Sequence, residues 1–249
     1  MGCSMYVSGQ TSTGMVRDHN EDVLYHSTEP IGPLPNLFIV ADGMGGHNAG
    51  EVASAKSLDF SWNYIFNAAP GNARDILEAA ALHANHHVFE LSVSNPEYLG
   101  MGTTFTACSI KDNIITIAHV GDSRIYAISP GNITQITIDH TLVDEMVQAG
   151  ALTKDEAKTH PRRNVLKRVL GYEPQIQVDS TTHDISHAHS ILLCSDGLTD
   201  MLSDEEILEI TNQNSAIDLR AKALVDAANK AGGVDNITVI LVDIRGEVR

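Results

Sequence analysis

Six short runs rich in valine and isoleucine limit the folds open to this 249-residue chain: LFIVAD (37–42), TFTACSI (104–110), NIITIAHV (113–120), RIYAI (124–128), SILLCSD (190–196) and NITVILVDI (236–244). Runs this short and apolar read as buried strands. The turns KDN and SPGN join the second run to the third and the fourth to the next, favouring antiparallel hairpins over crossover units. The central sheet is therefore expected to be antiparallel. Between the first and second runs lie two helical stripes, Leu58, Trp62, Ile65 and Phe66, then Leu77, Ala80, Ala81, Ala84, Val88 and Leu91, the second after a cap at Asn72. A capping box from Ser203 to Glu206 opens a third helix, and a fourth covers 215–231 before Gly232 and Gly233. Hairpins grouped with paired helices predict layered α+β packing. No repeat, low-complexity tract or proline-rich linker divides the chain, so residues 1–249 are read as one domain. The stretch 140–172, helix-turn-helix around THPRR, sits between strand regions as a flap would.

The first run ends in DGMGG, a glycine-dense turn leading into a helix. It is neither of the usual phosphate cradles. A dinucleotide fingerprint from Gly43 would need glycine at Asn48, and a P-loop through Gly45 and Gly50 would need lysine and a hydroxyl where Glu51 and Val52 stand. The informative residue is Asp42, and the same device recurs at Asp122, Asp196 and Asp235, each at the boundary of an apolar run and three of them beside glycine. One such Asp-Gly is commoner as a plain turn. Four gathered in one crevice would raise one another's pKa and oppose folding unless cations neutralised them. Ligation by oxygen alone selects the hard ions Mg²⁺ or Mn²⁺, whereas zinc enlists His or Cys. VRDHNED adds Arg17, able to fork onto phosphate oxygens, with Glu21 and Asp22. Metals that activate water beside such an arginine support in-line attack on a phosphoryl group. Taken alone, Arg17 would read as the partner of a neighbouring carboxylate.

In order and spacing, RDHNED, VADGMGGHNAGEVAS, GMGTTFTA, HVGDSRIY, DHT, CSDGLTD and GGVDNITVI resemble the metal-dependent (type 2C) serine/threonine protein phosphatases in their compact bacterial form, over Gly9 to Asp243. The resemblance implies a four-layer α-β-β-α sandwich of two antiparallel sheets flanked by helices, with the metals at one end between the sheets. It implies a hydrolase of kinase–phosphatase signalling in which metal-activated water hydrolyses phosphoserine or phosphothreonine directly. Position by position, Asp42 would bridge two Mn²⁺ or Mg²⁺ ions, the Gly43 carbonyl would complete the first, and Asp196 and Asp235 would hold the second. In the bacterial branch a third metal falls to Asp122 together with Asp196. Arg17 matches the phosphate-binding arginine, Glu21 and Asp22 the carboxylates that order metal-bound waters, and Asn236 the residue orienting Asp235. Many eukaryotic members carry a histidine as general acid where Met44 stands, so leaving-group protonation would fall to another donor; His47 is not assigned that role. The stretch 140–172 falls where the family carries its flap. Its cations, Lys154, Lys158, Arg162, Arg163, Lys167 and Arg168, are either a docking patch for phosphopeptides or a solvated face, with His160 beside them.

Competing chemistries fail by residue. Asp200 stands where a cysteine phosphatase built on Cys194 would need arginine, Met44 where a D-x-D phosphohydrolase needs a carboxylate, and Ser123 lies in no nucleophile elbow. HDISHAH (183–189) lacks a zinc helix. A catalytically silent phosphoprotein-binding scaffold would be expected to have lost ligands; here every aspartate position is filled. With 16 Lys+Arg against 32 Asp+Glu, the formal charge of -16 argues against nucleic-acid and anionic-membrane binding. Three dispersed cysteines, Cys3, Cys108 and Cys194, no apolar signal core and no membrane-length run fit the cytoplasm; the resemblance implies a monomer acting on phosphoproteins made by a Ser/Thr kinase.

Overall fold

A computed structural model describes residues 5–46 and 49–244; Cys3 and His47 lie outside them. In chain order the elements are β1 (Tyr6–Ser12), β2 (Asp22–Ser27), β3 (Leu37–Met44), α1 (Ala49–Phe66), α2 (Ala73–Ser94), β4 (Gly102–Thr103), β5 (Phe105–Lys111), β6 (Ile114–Val120), β7 (Arg124–Ser129) and β8 (Asn132–Gln135). There follow α3 (Leu142–Gln148), α4 (Lys154–Lys158), β9 (Asp179–Asp184), β10 (Ser190–Cys194), α5 (Asp196–Thr199), α6 (Asp204–Thr211), α7 (Ile217–Lys230) and β11 (Ile237–Asp243). One sheet runs β1-β11-β10-β7-β8 and the other β2-β3-β5-β6-β9, with β4 paired to the end of β3; every pairing is antiparallel.

Alternate side chains of β3 show why its run is apolar throughout. Phe38 and Val40 face the opposite sheet, meeting Ile125, Ile191, Leu193 and Ile240, while Leu37 and Ile39 face α1 and α2 through Ala53, Ile65, Leu77 and Ala80. A third core packs β10 and β11 against α5, α6 and α7 through Leu192, Leu241, Leu198, Ile207 and Leu224. Four layers result, helices outside and two sheets within. Cys108 and Cys194 are free and buried in these cores.

Two expectations need correcting. The SPGN turn leads into the short edge strand β8, so β7 meets β10 through space and not through that turn. Of the expected α1 stripe Leu58, Trp62, Ile65 and Phe66, only Ile65 is fully buried: it shares the inner face with Ala53, Ser54, Ser57 and Ser61, while Phe66 is exposed and stacks on Trp62 at 4.9 Å. Small residues let α1 approach β3 closely; the Ser57 and Ser61 hydroxyls donate to the helix's own carbonyls, and Ser54 Oγ donates to the Glu21 carbonyl as well as to that of Glu51, so each buried serine is satisfied. The caps form as read: Asn72 Oδ1 accepts from Arg74 N, and Ser203 and Glu206 close a reciprocal box. Among the described residues no helix is long and apolar enough to cross a membrane.

Candidate active site

The site is assembled at one end of the two sheets. Asp22 on β2 stands directly opposite Asp42 on β3, so one antiparallel pair delivers two carboxylates to the same edge. The backbone of Asp42 is held on both sides. Its N–H donates to Thr104 Oγ1 at 2.9 Å, and its carbonyl accepts from Thr104 N at 2.8 Å and Thr103 Oγ1 at 2.9 Å. Gly43 follows because no side chain fits: an added Cβ would lie 2.1 Å from the Gly50 carbonyl. Asp122 occupies the β6–β7 turn, entered through Gly121 at φ +109°. Asp196 is the first residue of α5, and Gly197 behind it admits the Asn236 carbonyl, which would lie 1.9 Å from an added Cβ.

Asp235 precedes β11. Its Oδ1 accepts from Asn236 N at 2.8 Å and its Oδ2 from Arg17 Nη2 at 2.7 Å. The side chain of Asn236 works on the other strand of the site: Oδ1 accepts from Glu21 N, and Nδ2 donates to the carbonyls of Thr13 and His19. It thereby fastens the loop bearing Arg17 and Glu21 onto the loop bearing Asp235. Arg17 is half exposed, and its remaining N–H groups make no hydrogen bond among the described residues, so it pairs with a carboxylate and still offers donors to the cavity.

Asp42, Asp122, Asp196, Asp235, Arg17, Glu21 and Gly43 all line one cavity of about 790 Å³. Asp22 lies just beneath, buried, its Oδ2 accepting from Ser195 Oγ at 2.8 Å. Burial and then the neighbouring carboxylates hold Asp42 and Asp196 well above the usual carboxylate range; Asp122 is pushed up to about 7 and Asp22 to about 6, in each case chiefly by burial. Burial also raises Glu21, against the pull of Arg17. Desolvation works to lower Arg17, but its hydrogen bond to Asp235 and the surrounding carboxylates raise it.

Among the described residues, no three His, Cys, Asp or Glu side chains already form a closed cage. The carboxylates instead converge on the cavity, and Asp22 Oδ1 and Asp196 Oδ1 are buried acceptors with no partner. Orphaned anionic oxygens beside several acids held above their ordinary pKa are a donor set that fits hard divalent cations. Among the described residues no histidine or cysteine lines the cavity, which disfavours zinc.

Three contributors escaped the sequence reading. Ser195 bonds Asp22 and accepts from Thr238 N at 3.0 Å, and Thr104 links Asp42 to Ser123. Asp200 accepts from Arg163 and Asn164, tying the 140–172 stretch to the end of α5. Behind Asp122 the Gly121 N–H donates to His140 Nδ1, which leaves Nε2 to donate to Asp179; burial lowers both His140 and its neighbour His119, the latter to about 3. His160 does not line the cavity; its Nδ1 accepts from Arg162 N.

The chain matches the Protein phosphatase 2C family over residues 12–229. It is 37% identical over 249 residues to a serine/threonine phosphatase, stp, of Listeria monocytogenes, covering 96% of each chain. The serine/threonine phosphatase Stp1 of Staphylococcus aureus superposes with a TM-score of 0.91 at 33% identity, over 99% of this chain and 97% of that one. The catalytic domain of the serine/threonine protein phosphatase PstP in complex with two manganese ions superposes with a TM-score of 0.83 at 34% identity, over 96% and 97%.

Proposed function

Because the chain belongs to the protein phosphatase 2C family, it is a metal-dependent serine/threonine phosphoprotein phosphatase, and we propose that its acidic cavity is the reacting centre. Asp42 and the Gly43 carbonyl would hold one Mn²⁺ or Mg²⁺, with Asp42 shared to a second ion held by Asp196 and Asp235. Asp122, next to Asp196 in charge and in space, would hold a third. When bound, these cations supply the positive charge that neutralises phosphoryl oxygens and acidifies water. Arg17 fixes the substrate, its free N–H groups forking onto two phosphoryl oxygens while Asp235 keeps the guanidinium in place. Glu21 and Asp22 accept hydrogen bonds from water in the cavity and hold it in line. Asn236 keeps the arginine loop closed on the aspartates.

The observation that carries this reading is the pair of buried carboxylate oxygens without partners, on Asp22 and Asp196, facing acids from both sheets. Nothing in the cavity favours a silent scaffold, since none of the four aspartates is replaced. The reading extends to residues 1–249 acting as one domain with 140–172 as its flap. It also extends to a cytoplasmic monomer whose substrates are phosphoproteins made by a Ser/Thr kinase. The test is hydrolysis of a phosphothreonine peptide by protein first chelated and then resupplied with Mn²⁺ or Mg²⁺, beside Asp196→Ala. Activity should vanish on chelation, return with metal and fall by at least about a hundredfold in the variant. Turnover by Asp196→Ala close to that of the parent would remove Asp196 from the site.

A further inference from the structure

Of the 15 large hydrophobic side chains exposed among the described residues, three line this cavity and three more adjoin, along the chain, residues that line it. Met44, Val165 and Tyr172 line the cavity itself. Met15 and Val16 immediately precede Arg17, and Val234 immediately precedes Asp235. These last two segments lie side by side, because Met15 N donates to Gly233 O at 2.7 Å and Arg17 pairs with Asp235. The phosphate-gripping arginine is therefore adjoined by exposed apolar residues, and Met44, Val165 and Tyr172 line the same cavity. Single exposed apolar residues need no explanation, but a group ringing a functional cavity marks a surface that is covered when a partner is bound.

Two cations of the 140–172 stretch, Lys167 and Arg168, also line the cavity, each already facing a carboxylate of this chain. Arg163 pairs with Asp200 at 3.2 Å, Arg168 with Asp179 at 2.6 Å, Lys158 with Asp155 at 3.5 Å and Lys167 with Glu145 at 3.8 Å. Most of the charge that could have docked an acidic partner is already matched within the chain. Exposed apolar side chains at the cavity offer contact area to an approaching phosphopeptide that presents apolar side chains beside its phosphorylated residue.

We infer that this site selects phosphothreonine and phosphoserine segments whose residues on either side of the phosphorylated one are apolar. The inference rests on the phosphatase reading and names the substrate class of the same site. Val165 and Tyr172 in the cavity, and Met15, Val16 and Val234 beside Arg17 and Asp235, are specificity-determining residues, covered only while a peptide is bound.

The test measures kcat/KM at saturating Mn²⁺ for phosphothreonine peptides in a uniform Gly/Ser frame, with Leu, Glu or Lys at both flanking positions, beside p-nitrophenyl phosphate, which has no flanks. The Leu peptide is expected to exceed both charged peptides by about fivefold or more, mainly through KM. In Val165→Ser/Tyr172→Ser, and separately in Val234→Ser, the Leu-to-Glu ratio should fall at least threefold. A ratio taken within one enzyme cancels any general loss of activity. Turnover of p-nitrophenyl phosphate with the Leu peptide no better than the Glu or Lys peptide would overturn the inference and leave the phosphatase reading standing, as would an unchanged ratio in both variants. Failure on every peptide and on p-nitrophenyl phosphate alike would instead remove the phosphatase reading itself.

Discussion

Asp22 is as buried as a core residue, yet of its two oxygens only Oδ2 has a hydrogen-bond partner, the hydroxyl of Ser195, 173 residues away in the chain. Ser195→Ala removes that donor and also the acceptor for Thr238 N, leaving a buried carboxylate unsupported next to the ligand positions. Such supporting bonds are worth about 10- to 100-fold in metal affinity. The Mn²⁺ concentration giving half-maximal activity should therefore rise by that factor while kcat at saturating metal changes less; an unchanged metal requirement would make Ser195 a packing residue only. Arg17→Ala should raise KM for a phosphothreonine peptide about tenfold or more with a smaller effect on kcat, and an unchanged KM would remove its phosphate role. Asp42, Asp122, Asp196 and Asp235 were legible in the sequence because each stands at the boundary of an apolar run, where a charge is locally conspicuous. Ser195, Thr104 and Asp200 were not. Each is an ordinary residue in its own neighbourhood, and its partners come from distant segments.

At the scale of elements, the strands read correctly from sequence are those with neighbours on both sides, whose side chains are buried on two faces and so spell continuous Val and Ile. The poorly marked ones, β1, β2, β8 and β9, are the four outer strands of the two sheets. Edge strands keep one side in water and carry polar residues, DSTTHD in β9 for instance, so their run of apolar residues is broken. Helix α1 misled for the opposite reason. Its inner face is chosen for smallness, so its largest apolar residues lie to the side, where Trp62 and Phe66 stack on each other. Ser57→Leu would force side chain into this close contact and should destabilise by about 1–3 kcal/mol, read as a lowered midpoint in urea unfolding with the slope unchanged. Leu58→Ala, at a half-buried position, should cost less; the reverse order would restore the larger stripe as the packed face.

The whole molecule carries its acids unevenly, and this couples its stability to both protons and metal. Asp122, held at about 7 against an ordinary 3.8, keeps a proton in the folded metal-free state that the unfolded chain has already released. The folded state thus binds more protons between about pH 4 and 7, and the contribution of this group to stability is lost as pH rises through that window; Asp22 adds the same sign up to about 6. The histidines lowered by burial, His119 and His140, act in the other direction up to about 6.5. The metal-induced gain in Tm isolates the carboxylates, because the histidine contribution is present with and without metal. Cations must displace the retained protons, so that gain should be larger at pH 7.5 than at pH 5.5, and a gain independent of pH would detach the raised aspartates from metal binding. Another property of the molecule comes from β1 and β11. Tyr6 is paired with Asp243, so the first and last described strands run edge to edge in one sheet and the backbone is close to a ring. Joining those strands by a short glycine-serine bridge and opening the chain at the exposed β7–β8 turn, where Gly131 has nothing within 4 Å of an added Cβ, reorders the sequence without crossing any layer. Such a permuted chain should fold with its turnover intact. By the same geometry, the unit from β1 to β11 could be carried as an insert in a surface loop of an unrelated protein.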